Sequence, residues 1–343
     1  MKTRLALTIV ACAVILSACA GGSTAVQPLH VEGTTLMNAD SQTVALHGIS
    51  IGWHNLWPRF YNAGAVRTMH DDWGCNLFRA AIGADDLDEF LNGTTDHPGY
   101  ISDPEGAMEK LYAVVDEAIE CGAYVIVDWH SHKTHLEEAS AFFSDVANRY
   151  KGVPNVIYEL FNEPVSTAFE TEGSYADLGN PAAMQAYWED LKAYAEALIE
   201  VITSIDDSKP LILMGSPCWD QRIDLPAADP ITCYDNLMYT MHFYAATHKE
   251  SLREASDRAL KAGLPLFISE CASMEATGNG PLDLDSWKEW SEWADANSLN
   301  IVCWSLSDKD ESCSMLTPEA ISEGPWPDEV IKPWGAIAKE FVK

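Results

Sequence analysis

Two glutamates of this 343-residue chain stand where short apolar runs end. Glu163 follows the run VIYELFN (156–162), and Glu270 follows LFIS (266–269). A pair of carboxyl groups is sufficient to hydrolyse a glycosidic bond, because one can protonate the leaving oxygen while the other attacks the anomeric carbon or activates water. The two glutamates are therefore candidate catalytic residues, one acting as an acid and the other as an ionised carboxylate.

Further polar and aromatic residues stand at the ends of other apolar runs. In chain order they are Arg79, His130, Asn162, Trp219, His242, Tyr244 and Trp304. A guanidinium beside a carboxyl group favours the ionised form of that group. Imidazole and phenol groups can hydrogen-bond to it, and an indole face can stack on the apolar face of a sugar ring. Because so many apolar runs end in a polar or aromatic residue, the sequence predicts that these residues surround one functional opening.

The elements that must position these residues follow from periodicity. Eight apolar runs have the character of buried strands, at 45–51, 76–82, 124–129, 156–161, 211–215, 237–242, 266–270 and 301–306. Helical spacing occurs between them at 104–121, 138–150, 181–205, 251–262 and 284–297. Strands that are apolar on both faces and alternate with helices indicate parallel β-α units. The prediction is a single α/β domain over 29–343, a (β/α)8 or TIM barrel, whose active site lies at the C-terminal strand ends.

Six segments together resemble glycoside hydrolase family 5, and in particular its bacterial endo-β-1,4-glucanases (cellulases). They are LFRAAIG (77–83), YVIVDWH (124–130), NVIYELFNEP (155–164), MYTMHFYAATH (238–248), LFISECASMEATGNG (266–280) and WSLSDKDES (304–312). The resemblance covers about residues 29 to 340, which is nearly all of the expected mature chain.

The resemblance implies a retaining double displacement, with Glu163 as acid/base and Glu270 as nucleophile. Retaining enzymes hold their two carboxyl groups about 5–5.5 Å apart, whereas inverting enzymes hold them ~6.5–9.5 Å apart. It further implies that Arg79 and Tyr244 keep Glu270 ionised and that Asn162 binds the sugar 2-hydroxyl.

The resemblance also implies where substrate binds. His130 and His242 would line the central subsite. Sugar contacts are implied for Trp304, Lys309, Glu311, Trp219, Trp53, His54 and Trp57. The first three would hold sugars on the non-reducing side of the cleavage point, and Trp219 would serve the other side. No cofactor and no metal is implied, and the expected partner is a β-glucan polysaccharide.

Three places depart from the family pattern. The loop GWHNLWPRF (52–60) places its His and Trp at shifted positions. The segment AIGADDLDEF (81–90) lacks a stacking Tyr, which removes an expected contact from the distal non-reducing subsites. Cys271 replaces a Trp that commonly follows the nucleophile, and this smaller side chain would open the site slightly.

The N-terminus has the features of an export signal. Lys2 and Arg4 precede an apolar run at 5–16 that is too short to span a bilayer, so residues 1–18 are predicted to be a signal peptide. The segment LSAC (16–19) resembles a bacterial lipobox and implies acylation of Cys19. Residues 19–28 would form a lipid-anchored, flexible tether. By resemblance to bacterial lipoprotein sorting, Ala20 favours the outer membrane. A substrate too large for the periplasm favours an anchor that faces outward, and simple secretion is the alternative.

Charge and cysteine content exclude several partners and sites. The net charge of -31 disfavours nucleic acid and anionic membrane surfaces, so the anchor at Cys19 would be the sole membrane contact. Seven cysteines remain after Cys12 and Cys19, without a C-x-x-C pair, which disfavours a zinc cluster or a disulfide scaffold. A bridge between Cys218 and Cys233 stays open. We expect a monomer.

Other functions remain possible from sequence alone. Mannanases, xyloglucanases and lichenases share the mechanism, and the WSLSDKDES segment favours the glucanase. A metal-dependent hydrolase could use Asp128, His130, His132 and His135, because an H-x-H at a strand end can bind zinc. A non-catalytic glycan-binding lipoprotein would explain the twelve tryptophans, but not two glutamates in these motifs.

Overall fold

The computed structural model describes residues 26–87 and 97–343, and the predicted signal peptide, Cys19 and most of the tether lie outside them. The strands are β1 Leu29–Glu32, β2 Thr35–Asn38, β3 His47–Ile51, β4 Leu77–Gly83, β5 Tyr124–His130, β6 Val156–Glu159, β7 Ile212–Met214, β8 Leu237–Tyr244, β9 Leu266–Ala272 and β10 Ile301–Leu306. The last eight are parallel and close into a barrel in chain order, with β10 pairing with β3.

Helices cover the outside of the barrel. They are α1 Ala63–Asp71, α2 Pro104–Cys121, α3 Leu136–Arg149, α4 Thr167–Glu172, α5 Pro181–Ile205, α6 Pro217–Asp220, α7 Asp224–Ala228, α8 Glu250–Lys261, α9 Leu284–Ala296 and α10 Pro333–Phe341. Short 3-10 turns occur at Pro58–Phe60 and Asp328–Val330. Among the described residues, no helix is both long and apolar enough to cross a bilayer.

The predicted barrel is confirmed, strand by strand. Helices α2 and α5 begin and end at the predicted residues, because their ends carry clear signals. In α2, the side chain of Asp103 accepts a hydrogen bond from the Gly106 amide, Pro104 occupies the first turn, and Gly122 ends the helix at φ 71°. The hairpin β1–β2 and several short helices were not predicted.

The interior of the barrel is layered. Side chains along a strand alternate in direction, so every second residue faces the axis. At the N-terminal end the inward residues are apolar and pack with Leu29 and Leu36 of the β1–β2 hairpin: Leu77, Ile126, Ile157, Leu213, Met238, Phe267 and Val302. Two residues further along, the same strands present polar groups, which include Arg79, Asp128 and Glu159, all fully buried.

The hairpin that closes the base is fixed by one side chain. Asn236 donates to the carbonyl oxygens of Leu29 and Lys209 at 3.0 and 2.8 Å, and its own carbonyl accepts from the Val31 amide at 3.0 Å. The seven cysteines within the described residues are all free, so the bridge between Cys218 and Cys233 is not formed.

Candidate active site

An open cleft of about 690 Å³ lies at the C-terminal ends of the barrel strands. Twelve of the residues proposed from sequence line it: Trp53, Trp57, His130, Asn162, Glu163, Trp219, His242, Tyr244, Glu270, Trp304, Lys309 and Glu311. Leu56, His132, Gln221, His248, Ala276, Thr277, Gly278 and Cys313 complete the lining. The strand ends therefore meet around one opening, as the barrel requires.

The two candidate glutamates face each other in this cleft. One carboxylate oxygen of Glu163 and one of Glu270 lie within 4.8 Å of each other, and within the same distance of a ring nitrogen of His242. Glu270 ends deeper in the protein, with 6% of its side chain exposed against 15% for Glu163. The pair is close enough to act on the same atom of a bound molecule.

Glu270 is held by two donors. Its Oε2 accepts from Nη1 of Arg79 at 3.0 Å, and its Oε1 accepts from the hydroxyl of Tyr244 at 2.7 Å. Burial, with the neighbouring Glu270 carboxylate, raises the pKa of Tyr244 well above its ordinary value, so the phenol keeps its proton and donates. Hydrogen bonds from both sides stabilise the ionised carboxylate.

Arg79 is the centre of this network. It lies in the middle of β4, not at its end as predicted, and it is completely buried. Its Nε donates to Glu159 at 2.6 Å and its Nη2 to Oδ1 of Asn162 at 2.5 Å, while Asp128 lies 3.0 Å from Nη2. Although burial opposes its charge, Asp128, Glu159 and Glu270 raise the pKa of Arg79 well above its ordinary value.

Glu163 contacts a second network through His242. Oε1 of Glu163 lies 3.0 Å from Nδ1 of His242, and Nε2 lies 2.9 Å from Oγ of Ser269. Ser269 in turn donates to Oε1 of Glu159 at 2.6 Å. Burial lowers the pKa of His242 to about 4, so the imidazole is neutral.

The order of donors fixes the tautomer of His242. The Ser269 hydroxyl donates its hydrogen to Glu159. The Ser269 oxygen must therefore accept a hydrogen bond from Nε2–H of His242. Asp220, with Oδ2 at 3.3 Å from Nε2, favours the same proton position. In a neutral ring Nδ1 is then an acceptor, and it faces Oε1 of Glu163 at 3.0 Å.

Aromatic rings form the floor of the cleft. His130 stacks on Trp304 at 5.3 Å and 4°, and Trp53 packs its edge against His130 at 4.2 Å. Burial and the neighbouring Arg79 hold the pKa of His130 well below its ordinary value, so this ring is neutral. On the rim, Lys309 and Glu311 form an ion pair at 2.6 Å.

Trp57 reaches the cleft because Gly52 has no side chain. A Cβ at residue 52 would lie 2.6 Å from the Trp57 ring, which is closer than carbon atoms pack. His54 differs from its prediction: it is 2% exposed, and its Nδ1 accepts from the Gly83 amide at 2.9 Å. His54 therefore supports the loop from behind and does not line the cleft.

The residues of the metal alternative point to separate partners. Nδ1 of His130 contacts Asp128 at 2.6 Å, Nδ1 of His132 contacts the Glu163 carbonyl at 3.1 Å, and Nε2 of His135 contacts Asp85 at 2.8 Å. Within 26–87 and 97–343, the one cluster with metal-ligand geometry is Glu163, His242 and Glu270. The proposed zinc set is not assembled.

Several residues of the site were missed from the sequence. Glu159, Ser269 and Asp220 are buried and join the two networks, and Asp128 was considered as a metal ligand alone. A signal existed, because Asp128 and Glu159 stand two residues after the inward-facing Ile126 and Ile157.

Comparisons with known proteins agree with this geometry. A family model described as Cellulase (glycosyl hydrolase family 5) matches residues 37–310. The chain belongs to glycoside hydrolase family 5. The predicted resemblance is thus confirmed, and five of the six segments that carried it contribute residues to the cleft lining.

Curated family 5 relatives are similar over most of the chain. Endoglucanase Z of Dickeya dadantii is 35% identical over 86% of this chain and 63% of its own length. An endoglucanase of Clostridium saccharobutylicum is 32% identical over 92% of this chain and 64% of its own length. The chain thus spans just under two thirds of these relatives.

Solved structures share the barrel. A structure from Cytophaga hutchinsonii is 33% identical with a TM-score of 0.80, covering 92% of this chain and 94% of that chain. The catalytic domain of Thermobifida fusca endoglucanase Cel5A is 26% identical with a TM-score of 0.78, covering 92% and 96%.

Asp128 gives this family 5 site a pH-dependent stability. Burial raises its pKa from 3.8 to about 8, so the folded state binds a proton that the unfolded state releases between these values. Asp128 therefore contributes stability at low pH that is lost as the pH rises from about 4 to 8. In urea unfolding, the free energy of unfolding of Asp128→Asn should rise relative to that of the wild type, by on the order of 1.4 kcal/mol for each pH unit across this window. The exposed Asp145→Asn is the control, and a pH-independent difference for Asp128→Asn would contradict the assignment.

Proposed function

We propose that this protein is a glycoside hydrolase, an endo-β-1,4-glucanase that cleaves cellulose or related β-glucans with retention. The observation that carries the proposal is the approach of Glu163 and Glu270 to within 4.8 Å. So close an approach of the nearest oxygens favours the roughly 5–5.5 Å between the carboxyl groups of retaining enzymes over the ~6.5–9.5 Å of inverting enzymes.

Glu270 is the proposed nucleophile. Arg79 and Tyr244 donate to its two oxygens, which orients the carboxyl group before substrate binds. It attacks the anomeric carbon and forms a covalent glycosyl-enzyme while the bond to the leaving oxygen breaks. Hydrolysis of this ester by water regenerates the carboxylate.

Glu163 is the proposed acid and base. Its contact with the acceptor Nδ1 of His242 favours the protonated carboxyl group in the free enzyme. Glu163 gives its proton to the departing glycosidic oxygen and, once ionised, takes a proton from the water that attacks the intermediate. Asn162 uses its carbonyl for Arg79, which leaves its amide protons free for the sugar 2-hydroxyl.

The shape of the cleft supports a polymeric substrate. It is open to solvent, and Trp53, Trp57, Trp219 and Trp304 line it, where their rings can contact neutral sugars. Two curated relatives carry the name endoglucanase, which favours β-glucan over mannan and xyloglucan. We also propose the lipid anchor at Cys19, on the outer membrane and facing outward, as the means of keeping the barrel near extracellular polysaccharide.

Removal of either glutamate should abolish cleavage for different reasons. With carboxymethylcellulose, Glu163→Ala and Glu270→Ala should each lower reducing-sugar release by at least about 10²–10⁴-fold, the usual contribution of an acid or a nucleophile. With 2,4-dinitrophenyl β-cellobioside, whose leaving group needs no proton, Glu163→Ala should still release a rapid burst of dinitrophenolate, and Glu270→Ala should not.

Further assays test the substrate preference separately from the catalytic roles of the two glutamates. Lichenan, xyloglucan and glucomannan are assayed beside carboxymethylcellulose, and a clear preference for mannan would overturn the glucanase assignment. The exposed Glu292→Ala on α9 should leave every rate unchanged. Full activity of Glu163→Ala on carboxymethylcellulose would refute the acid assignment.

Ser269 should set the pH range of the acid. In Ser269→Ala the ring of His242 loses one of the two groups that favour its proton on Nε2, and Asp220 alone remains. The tautomer with the proton on Nδ1, which stabilises ionised Glu163, should therefore become more populated. The alkaline limb of kcat/KM should move to lower pH by about half to one unit, which corresponds to one neutral hydrogen bond. Ser273→Ala is a matched control, because Ser273 is buried nearby with no side-chain partner. An unmoved limb in Ser269→Ala would contradict the proposed tautomer.

A further inference from the structure

The segment between β6 and α5 carries aromatic residues that the chemistry of Glu163 and Glu270 does not use. Tyr175 is 56% exposed and, within the described residues, is the one exposed large aromatic side chain. It lies in the loop that follows α4, just outside the cleft lining. A large ring left in solvent beside a sugar-binding cleft is a candidate ligand contact.

Tyr175 continues a row of rings that starts inside the cleft. Its ring centroid lies 5.8 Å from that of Trp219, with an interplanar angle of 37°. Phe169 stacks on one face of Tyr175 at 5.4 Å and 29°, and the edge of Phe169 contacts His132 at 6.1 Å. Trp219 and His132 both line the cleft, so Phe169 and Tyr175 extend its wall outward.

This extension is built on a fixed support. The hydroxyl of Ser166 caps α4 by accepting from the Phe169 amide at 3.1 Å, and Asp177 accepts from the Ala168 amide at 2.9 Å. Glu170 accepts from the hydroxyls of Tyr187 at 2.5 Å and Thr134 at 2.9 Å, which joins α4 to α5 and to the loop before α3. A ring held in place before binding loses little entropy when a ligand stacks on it.

The neighbouring Trp219 is presented by a strained turn. Cys218, Trp219 and Asp220 all have left-handed backbone angles, with φ of 59°, 55° and 60°. Such angles are unfavourable for residues other than glycine, and strain of this kind is concentrated at ligand-binding positions. The amides of Cys218 and Trp219 donate to the carbonyls of Val165 and Pro164, directly after Glu163.

The turn therefore sets Trp219 at a defined place relative to Glu163. Under the proposed function, the family resemblance places Trp219 on the side where the leaving sugar departs. Tyr175 is the next ring outward, and its centroid spacing of 5.8 Å from Trp219 is comparable with one sugar unit of an extended β-1,4-linked chain.

We propose that Tyr175, supported by Phe169, forms an additional sugar-binding subsite beyond Trp219 that holds the leaving-group side of a β-linked glucan chain. This subsite rests on the proposed function for the identity of its ligand. One face of the tyrosine is covered by Phe169, and the 56% exposure of Tyr175 leaves ring surface available to a sugar. Its effect is expected on long chains and not on the chemical step.

The test compares Tyr175→Ala, Tyr175→Phe and wild type on cellohexaose and on 2,4-dinitrophenyl β-cellobioside, whose leaving group is too short to reach Tyr175. For Tyr175→Ala, kcat/KM on cellohexaose should fall by about 3- to 10-fold, the value of one stacking contact, with no change on the aryl substrate. Tyr175→Phe keeps the ring and should behave as wild type. Leu284→Ala, on the exposed surface of α9, is the control for loss of an apolar side chain.

Binding separates the subsite from the chemistry. Calorimetry of cellohexaose with Glu163→Gln and with Glu163→Gln/Tyr175→Ala requires no turnover, and the double variant should bind about 3- to 10-fold more weakly. Weaker binding without any wild-type cleavage would retain the subsite and refute the proposed hydrolase. If the wild type is active and Tyr175→Ala changes neither kinetics nor binding, the subsite alone is overturned. An equal loss of kcat/KM on the aryl substrate would also overturn it, because that loss would indicate a structural role for Tyr175.

Discussion

One buried cation organises the site. Arg79 lies inside the barrel with no exposure, and a charge in such surroundings costs several kcal/mol unless it is paired and fully hydrogen-bonded. The barrel provides the partners from three strands: Asp128 on β5, Glu159 on β6 and Glu270 on β9. Apolar residues of similar volume would be at least as stable in this position. The ion network therefore serves mainly to orient the site. It fixes the carboxyl group of Glu270 and, through Glu159 and Ser269, the tautomer of the His242 ring that contacts Glu163.

The layered interior makes this arrangement tolerable. The N-terminal half of the barrel is filled by aliphatic side chains and sealed by the β1–β2 hairpin, so stability depends mainly on packing that is remote from the charges. The polar layer can then carry carboxyl groups with raised pKa values and a strained turn at 218–220 without endangering the fold. Chemistry and substrate contacts occupy the third layer, where the strands end.

Much of the fold was predictable, since strands buried on both faces are apolar runs and long helices carry caps. Short elements such as α4 and β1 were missed because a few residues give no periodicity. Within the site, polar and aromatic residues at strand ends could be identified from the sequence. Glu159 could not, because a single acidic residue inside an apolar run gives no pattern that marks it as functional. Which side chains touch across the barrel depends on strand register and on the course of the loops. His54 shows the second: in the loop after β3 it is one residue from Trp53 but faces away from the cleft.

The central claim is that Glu270, held by Arg79 and Tyr244, forms the covalent bond to sugar. The most direct measurement uses a 2-deoxy-2-fluoro-β-cellobioside with a dinitrophenyl leaving group, which allows the intermediate to form but slows its hydrolysis. Mass spectrometry of the digested protein should find one added fluorocellobiosyl group, on Glu270 within the segment 266–280. A label on Glu163, or rapid release of dinitrophenolate with no label on the protein, would contradict the account.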